Sequence, residues 1–410
     1  MRLGSLLKYY RTKLKMTQSD LCDGICSIPH LSKIENNEKE ANIDTINLLL
    51  NKLNINIVDV KKSEETIKSL LDELIENIIY LQEEKIDITF KELNPYSEFV
   101  GFSSYIFIYE LYKLRYYLFQ KEMDKAYEQI KWLNKQKKNF SQHEEHLFLY
   151  FHGVYFILKG SYKEADTILL DLLNNNVDMG IHNGEFFYHL ALVKGNLEES
   201  GYAILYGKKA LQFFTDTHNF KRILHVLMTL GISYTQSSLY DEAFDCFTHL
   251  KRNTEILKDT TLLPLVFHNL GLLMRKKGDF SLAIEYYQRG LEHSEENLHY
   301  SMVGNYAIGE LLFSQNSLQA VERFTKVNNL ARKLNNKKYQ ILSTYFLLDL
   351  VKGRKLSIKY LEKRALPFLE KSKENRETFH NFCNILGSYY EEDNNYERAI
   401  YYFNKKRSLL

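Results

Sequence analysis

The first sixty residues contain four short segments in which apolar side chains recur every three or four positions. That period places the apolar residues on one face of a helix. The first segment holds Leu3, Leu6, Leu7, Tyr10 and Leu14; later segments contain Leu21 and Cys22, Leu31 and Ile34, and Ile46, Leu49, Leu50 and Leu53. The pattern predicts a small domain made only of helices around a single core.

Capping residues define the two middle helices of this domain. Thr17 is a good N-cap, with Asp20 in the first turn, and Gly24 ends that short helix. Ser27 caps the next helix, and Pro29 falls in its first turn, where a missing N–H costs little. Two short helices joined by a tight turn that contains glycine form a helix-turn-helix.

A longer helical pattern follows Asp59. Ser63 is the expected N-cap, and the apolar positions alternate in steps of four and three at Ile67, Leu71, Leu74, Ile78 and Leu81. This seam of two heptads either pairs with its copy in a dimer or packs within the chain, and its shortness favours packing within the chain. Residues 86–101, with Pro95 and Gly101, are expected to form an irregular connector.

The rest of the chain repeats itself from about Ser103 onward. The series Leu230, Gly231, Tyr234, Ala243 and Phe247 returns as Leu270, Gly271, Met274, Ala283 and Tyr287, and again as Leu386, Gly387, Tyr390, Ala399 and Phe403. Small residues at 153, 191, 231, 271 and 309 are separated by 38 or 40 positions. This spacing alone also suits HEAT repeats, but the Gly-to-Ala interval of twelve favours degenerate TPR repeats.

These patterns predict an all-α protein. A five-helix helix-turn-helix domain at 1–60 is followed by a linker helix and connector at 61–101. A right-handed TPR-like α-solenoid of about eight helix pairs fills 102–410. In each pair the Gly and Ala allow close helix contact, and we expect the aromatic residue to fill the gap to the next pair.

Charge and composition limit the possible functions. With 54 basic and 52 acidic residues the net charge is +2, so any nucleic-acid binding must be local. Basic residues do concentrate in the first fifteen positions, at Arg2, Lys8, Arg11, Lys13 and Lys15. No signal peptide or membrane-spanning run is evident, which predicts a soluble cytoplasmic protein with no membrane contact.

Signatures of catalysis are missing from the sequence. The four cysteines are scattered, which indicates neither a disulfide framework nor a zinc site. There is no phosphate-binding loop or nucleophile elbow, and the string His143-Glu-Glu-His146 lacks the spacing of a zinc protease. We therefore expect no cofactor, no metal and no enzymatic activity.

The first domain resembles a known family. The string MTQSDLCDGICSIPHLSKIENNEKEANIDTINLLLNKL resembles the repressor-type helix-turn-helix of the phage-repressor and Cro family. Within it, LCDGICSIPHLSKIENN is similar to the PlcR and NprR class of peptide-responsive regulators, also called RRNPP proteins. The resemblance implies that the third helix enters the DNA major groove. It also implies that Arg11 and Glu35 form a structural salt bridge.

The resemblance carries over to DNA-binding residues. Those expected near base edges are Ile28, Pro29, His30, Ser32 and Lys33, and those expected near phosphates are Gln18 and Ser27. Lys33 has the donors for guanine O6 and N7, whereas Ile28 and Pro29 suit thymine methyl groups.

A peptide-binding wall is expected on the first helix of each repeat pair, which lines the concave side of a TPR array. Its predicted members are polar or aromatic: Tyr188, His225, Met228, His268, Asn269, Arg275, Asn305, Tyr306, Glu310, Asn381, Asn384 and Glu391. Asn side chains can hold a peptide backbone, and Arg or His can meet a carboxylate.

The resemblance further implies a transcriptional regulator controlled by a short signalling peptide. The expected form is a homodimer on a palindromic double-stranded DNA operator. The alternative is an NprR-like bifunctional protein whose peptide-free form binds a response regulator of the sporulation phosphorelay and promotes its dephosphorylation.

Overall fold

The computed structural model describes residues 3–38, 42–257, 260–294, 297–372 and 376–405, and within these ranges the regular structure is entirely helical. Arg2 lies outside them. The chain forms two compact units, residues 1–237 and 238–410.

The first unit begins with four short helices around one core: α1 (Leu3–Lys13), α2 (Gln18–Cys22), α3 (Ile28–Glu35) and α4 (Ile43–Lys52). Thr17 and Asp20 form a reciprocal capping box at the start of α2, and the Ser27 hydroxyl caps α3, as the sequence predicts. Leu6, Leu7, Leu21, Leu31 and Leu49 are fully buried together. We call this four-helix core and the start of the next helix the head.

Helix α5 (Ile57–Ile79) begins six residues before the expected Ser63, because Asn56 caps it. Ser63 lies inside the helix, where its hydroxyl donates to the Asp59 carbonyl. The first turn of α5 contributes Val60 to the core of the head. The fifth helix of the head and the linker helix are therefore one continuous helix, and residue 60 lies within it.

The prediction of an irregular connector at residues 86–101 is wrong, because most of these residues are helical. Residues 83–93 form α6 (Glu83–Leu93), and a short 3-10 turn leads to α7 (Ser97–Val100). Ile86 and Leu93 are seven residues apart, so they lie on one face of α6, and both are buried in the core that α6 shares with α5. The apolar seam of α5 is also buried within this chain, as its shortness favours.

Helix pairs then follow in sequence. The first unit continues with α8 (Ile106–Phe119), α9 (Met123–Gln136), α10 (Gln142–Leu158), α11 (Tyr162–Asn174), α12 (Asn183–Asn196), α13 (Ser200–Asp216) and α14 (Phe220–Gln236). The second unit contains α15 (Tyr240–Ile256), α16 (Leu263–Lys277), α17 (Phe280–Glu292), α18 (Leu298–Ser314), α19 (Gln319–Lys333), α20 (Lys337–Lys352), α21 (Arg354–Tyr360), α22 (Leu366–Ser372), α23 (Arg376–Glu392) and α24 (Tyr396–Lys405). A π-helical turn, Leu361–Ala365, joins α21 to α22.

The glycine and aromatic positions of the repeat pack differently from the expectation. A Cβ atom at Gly271 of α16 would lie 2.6 Å from the ring of Tyr287 on α17, the second helix of the same pair. Gly309 faces Phe324 in the same way, and Gly387 faces Phe403. The aromatic side chain thus fills the space left by the glycine within its own pair, not the gap to the next pair.

Candidate functional sites

The N-terminal part of α3 presents most of the predicted DNA-binding residues to solvent. Ser27, Pro29 and Lys33 are exposed, and Ile28 is an exposed large apolar residue at 46%. His30 and Ser32 are half-buried at the same surface. The opposite side of α3 is anchored because Leu31 and Ile34 are buried in the head.

A buried ion pair fixes α1, α2 and α3 to one another. The Arg11 guanidinium donates to both carboxylate oxygens of Glu35, at 2.6 and 3.0 Å, and the Gln18 amide donates to Glu35 Oε2 at 2.8 Å. Burial raises the pKa of Glu35, but the hydrogen bonds from Arg11 and Gln18 outweigh it and lower that pKa overall. Gln18 is therefore tied to the protein through Glu35, in a half-buried position.

The head also contacts the segment before α8. The Tyr9 hydroxyl donates to the Glu98 carboxylate, and the Tyr9 ring lies 4.7 Å from the ring of Phe102, measured between centroids. Lys13 approaches Glu98 at 3.2 Å. Together with the continuous helix α5, these contacts fix the orientation of α3 within the first unit.

The first unit holds three of the predicted peptide-binding residues on α12 and α14. Tyr188 and His225 are half-buried and their ring centroids are 6.3 Å apart, so the structure brings these two together. Met228, on the same helix as His225, is only 9% exposed.

A buried charged cluster nearby was missed at the sequence level. Glu185 of α12 is fully buried and accepts hydrogen bonds at Oε1 from Arg115 of α8, at 2.8 Å, and from Arg222 of α14. Burial raises the pKa of Glu185, but the two guanidiniums outweigh it and hold that pKa well below its usual range. His182 Nδ1 lies 3.8 Å from the second carboxylate oxygen.

Two histidines beside this cluster are held neutral. Burial lowers the pKa of His182, and burial lowers that of His189 to about 3. His189 Nδ1 shares a 2.9 Å hydrogen bond with the Tyr150 hydroxyl. The sequence signal for the cluster is weak, because Arg115 is one of three charged residues in the mostly apolar helix α8.

The cluster also holds the C-terminal end of α5. Arg222 Nε and the Asn219 amide both donate to the Ile79 carbonyl, at 3.1 and 3.0 Å. The Tyr80 hydroxyl donates to the Thr217 carbonyl, and Lys221 donates to the Leu81 carbonyl. The carbonyls at the end of a helix lack partners within it, so Arg222 and Asn219 satisfy that of Ile79. The bonds of Tyr80 and Lys221 hold the turn that follows the helix.

In the second unit, five predicted residues line one groove of about 500 Å³: His268, Arg275, Tyr306, Glu310 and Asn381. Arg275 and Glu310 form a half-buried ion pair of 2.9 Å, and the Tyr306 hydroxyl donates to the other Glu310 oxygen at 3.0 Å. Burial lowers the pKa of His268 to about 4, so its imidazole is neutral near pH 7. We call this site the second-unit groove.

The two predicted asparagines of α16 and α18 are not available to a ligand. Asn305 is fully buried, donates to the Ser301 carbonyl and accepts from Arg323. Asn269 is 7% exposed and donates to the Leu265 carbonyl. Both face the helix packing because their positions fall one residue away from the exposed face. Asn384 and Glu391 lie outside the lining of the second-unit groove.

Several groove residues were missed by sequence reasoning. Tyr287 comes from α17, Lys338 and Tyr339 from α20, and Thr378 from α23. The repeat pattern predicts only a packing role for Tyr287. Helix α20 carries no clear TPR signature, so the sequence does not show which of its residues face the groove.

The described residues contain neither a metal-binding cluster nor a membrane-spanning helix. No group of three or more His, Cys, Asp or Glu side chains is placed to hold a metal ion. None of the described helices is long and apolar enough to cross a membrane.

Known proteins match both parts of the chain. A family model described as helix-turn-helix matches residues 7–60. The chain is 23% identical to the transcriptional activator NprA of Geobacillus stearothermophilus, over 95% of this chain and 98% of that protein. The fold matches the apo form of the quorum sensor NprR from B. thuringiensis with a TM-score of 0.72 at 20% identity, covering 84% of this chain and 99% of that one.

The chain joins a helix-turn-helix domain to an NprR-type solenoid. NprR in complex with its cognate peptide NprX has the same fold, with a TM-score of 0.64 at 21% identity over 84% of this chain and 99% of that chain. The NprR-type fold confirms the sequence prediction of an all-α chain with a TPR-like solenoid.

Proposed function

We propose that this protein is a cytoplasmic DNA-binding transcriptional regulator controlled by a short peptide. The observation that carries the proposal is the exposed N-terminal half of α3 on a head matched by the helix-turn-helix model over residues 7–60. Similarity to a transcriptional activator over 95% of the chain supports the same function.

The proposed DNA contacts divide into two groups. Lys33, Ile28 and Pro29 are exposed on α3 and meet base edges, with His30 and Ser32 beside them. Ser27 and Gln18 lie at the N-terminal ends of the two helices and contact phosphates. Gln18 also hydrogen-bonds to Glu35, so the head presents its amide in a fixed position.

The proposed peptide site in the second unit is the second-unit groove. The Arg275 side chain is paired with Glu310 and is still 37% exposed, so a peptide carboxylate can reach its guanidinium. Tyr339 and Tyr287 supply apolar walls. Tyr188, His225 and Met228 form a second set of proposed contacts, in the first unit.

In the proposed mechanism the protein acts as a homodimer on a palindromic operator. A single reading helix with an apolar start makes few base-specific hydrogen bonds, so two heads together are needed for tight binding. The peptide shifts binding only if its affinity differs between two arrangements of the dimer.

The decisive experiment measures fluorescence anisotropy of labelled upstream DNA with the full-length protein, with and without synthetic peptides encoded next to its gene. We expect a peptide-dependent change in DNA affinity. Lys33→Ala should weaken DNA binding while peptide binding to the free protein stays unchanged. Arg275→Ala should weaken peptide binding and remove the peptide-dependent change, while DNA affinity without peptide stays unchanged. Absence of specific DNA binding with every peptide would contradict the proposal.

A response regulator is the second proposed partner, supported by the fold likeness to aspartyl phosphate phosphatase F of Bacillus subtilis, with a TM-score of 0.55 at 18% identity. This activity would act through binding, since we assign no catalytic residue. A phosphotransfer assay with purified phosphorylated response regulator tests it. Faster loss of phosphate that is reversed by the peptide is the expected result, and an unchanged rate rules it out.

A further inference from the structure

An apolar cavity in the first unit lies between α5, α12 and α13, away from the DNA-binding surface of α3. It encloses about 480 Å³. Cavities that hold small organic ligands measure about 300–1,000 Å³. The size therefore suits a small molecule of one or two rings.

The walls of this cavity are apolar. Ile75 and Ile79 come from α5, Phe213 and Phe214 from α13, and Ile181 from the turn before α12. Ile181 is 64% exposed and Phe213 is 37% exposed. Water-exposed apolar surface of this kind is stabilised when an apolar ligand covers it.

Two carboxylates stand at the same cavity. Asp72 and Glu76 lie four residues apart on α5, line the cavity and are exposed. Neither forms a salt bridge within the described part of the chain. Like charges at this spacing repel each other on a helix, so a cation between them removes that repulsion.

The cavity is already formed because the end of α5 is fixed in position. Its last carbonyl, that of Ile79, accepts from Asn219 and Arg222, and Lys221 donates to the Leu81 carbonyl just beyond the helix. The Tyr80 hydroxyl donates to the Thr217 carbonyl at the cavity rim. A ligand therefore binds without first ordering its walls, which favours affinity.

We propose that this cavity binds a small organic cation with an apolar body. The ammonium group lies between Asp72 and Glu76, and the apolar body packs against Ile79, Ile181 and Phe213. This site goes beyond the proposed DNA and peptide functions and depends on neither. Because α5 begins in the head at Ile57, the ligand contacts a helix whose first turn packs in the core of the head.

The test uses three probes with the same apolar body: phenylbutylamine, phenylbutanol and phenylbutyrate. Calorimetry with the full-length protein should detect binding of the amine, weaker binding of the alcohol and none of the acid. Added salt should weaken binding of the amine only. Hydrogen exchange of amides near Tyr80 should slow when the amine is bound.

Matched variants distinguish the contribution of the two carboxylates to ligand binding from that of the apolar walls. Asp72→Asn combined with Glu76→Gln should weaken amine binding about three- to tenfold and leave alcohol binding unchanged. Glu73→Gln, an exposed acid of α5 that does not line the cavity, should change neither. Phe213→Ala should weaken both amine and alcohol.

Three results would each overturn the proposal. They are no detectable binding of the amine, equal binding of the amine and the acid, and amine binding unaffected by the Asp72→Asn and Glu76→Gln pair. Since the readout is direct ligand binding, it does not depend on whether the protein regulates transcription.

Discussion

At the scale of single residues, two positively charged side chains of the head, Lys33 and Arg11, differ in their surroundings. Lys33 is an exposed cation that pairs with no acid in the described part of the chain, whereas Arg11 is paired with a buried carboxylate. Both are basic residues, and the difference lies in the groups that surround them. These surroundings distinguish Lys33, the proposed DNA contact, from Arg11, which stabilises the head.

Lys33→Ala should weaken binding to the specific operator by about 1–3 kcal/mol, because it removes one donor to a base edge. Anisotropy titrations at fixed salt measure the change. Lys68→Ala, an exposed lysine of α5, is the control for general loss of charge. Equal loss in both variants would mean that Lys33 contributes only non-specific attraction.

Glu35→Gln should lower the free energy of unfolding of the head by about 2–4 kcal/mol, since it leaves the Arg11 guanidinium without its charged partner. Urea unfolding monitored by circular dichroism provides the measurement. The exposed Glu38→Gln should change stability by less than about 0.5 kcal/mol. A small effect at Glu35 would show that the 2.9 Å hydrogen bond from the Arg11 guanidinium to the Met16 carbonyl is enough to hold Arg11 in place.

At the scale of helices, close contact within a repeat pair depends on a glycine, which has no side chain to keep the two helices apart. Gly271 allows Tyr287, which is 2% exposed, to lie directly against the backbone of α16. The sequence indicated the small residue and the aromatic residue correctly. It did not indicate that they touch each other, because spacing along a chain does not say which neighbouring helix a ring will meet.

Gly271→Ala should destabilise the second unit by about 1–3 kcal/mol, because the added methyl group collides with a ring that has no room to move. Gly201→Ala is the matched control: it is also a helical glycine, but a Cβ there meets nothing within 4 Å. That change should stabilise the protein by about 0.5–1 kcal/mol. Thermal unfolding of both variants tests the pair of expectations.

At some helix boundaries, the capping, proline and glycine signals of the sequence differ from the helix that forms. Ser63 and Asn56 are both suitable N-caps, and the earlier one prevails because it brings Val60 into the core of the head. Pro95 and Gly101 indicated a connector, yet the period of Ile86 and Leu93 built a helix before them. In both cases burial of apolar residues outweighed a local signal.

At the scale of the whole molecule, buried ionisable groups make stability depend on pH. The folded pKa values of His189 and His268 are lowered to about 3 and about 4 by burial, below the value of about 6.5 in an unfolded chain. Glu185 and Glu35 also have lowered folded pKa values, because their arginine partners outweigh burial. All four groups bind protons more readily when unfolded.

The free energy of unfolding should therefore fall as the pH drops below about 6.5, first through the histidines and then, below about pH 4.5, through the glutamates. Each buried histidine contributes a slope of up to about 1.4 kcal/mol per pH unit. Urea unfolding between pH 7.5 and pH 4 measures it. His268→Gln should flatten the curve, whereas the exposed His218→Gln should leave it unchanged; stability that is constant down to pH 5 would contradict the expectation.

The sequence by itself determined the four short helices of the head, the caps at Thr17 and Ser27 and the repeats, because period and capping act over a few residues. It also indicated α3 as the reading helix. Only the tertiary structure decided that Asn305 is buried and that Glu185 gathers Arg115 and Arg222 from 70 and 37 residues away. The second-unit groove likewise combines side chains from α16, α17, α18, α20 and α23. Such contacts depend on how helices rotate and pack against each other, and no local pattern along the chain records that rotation.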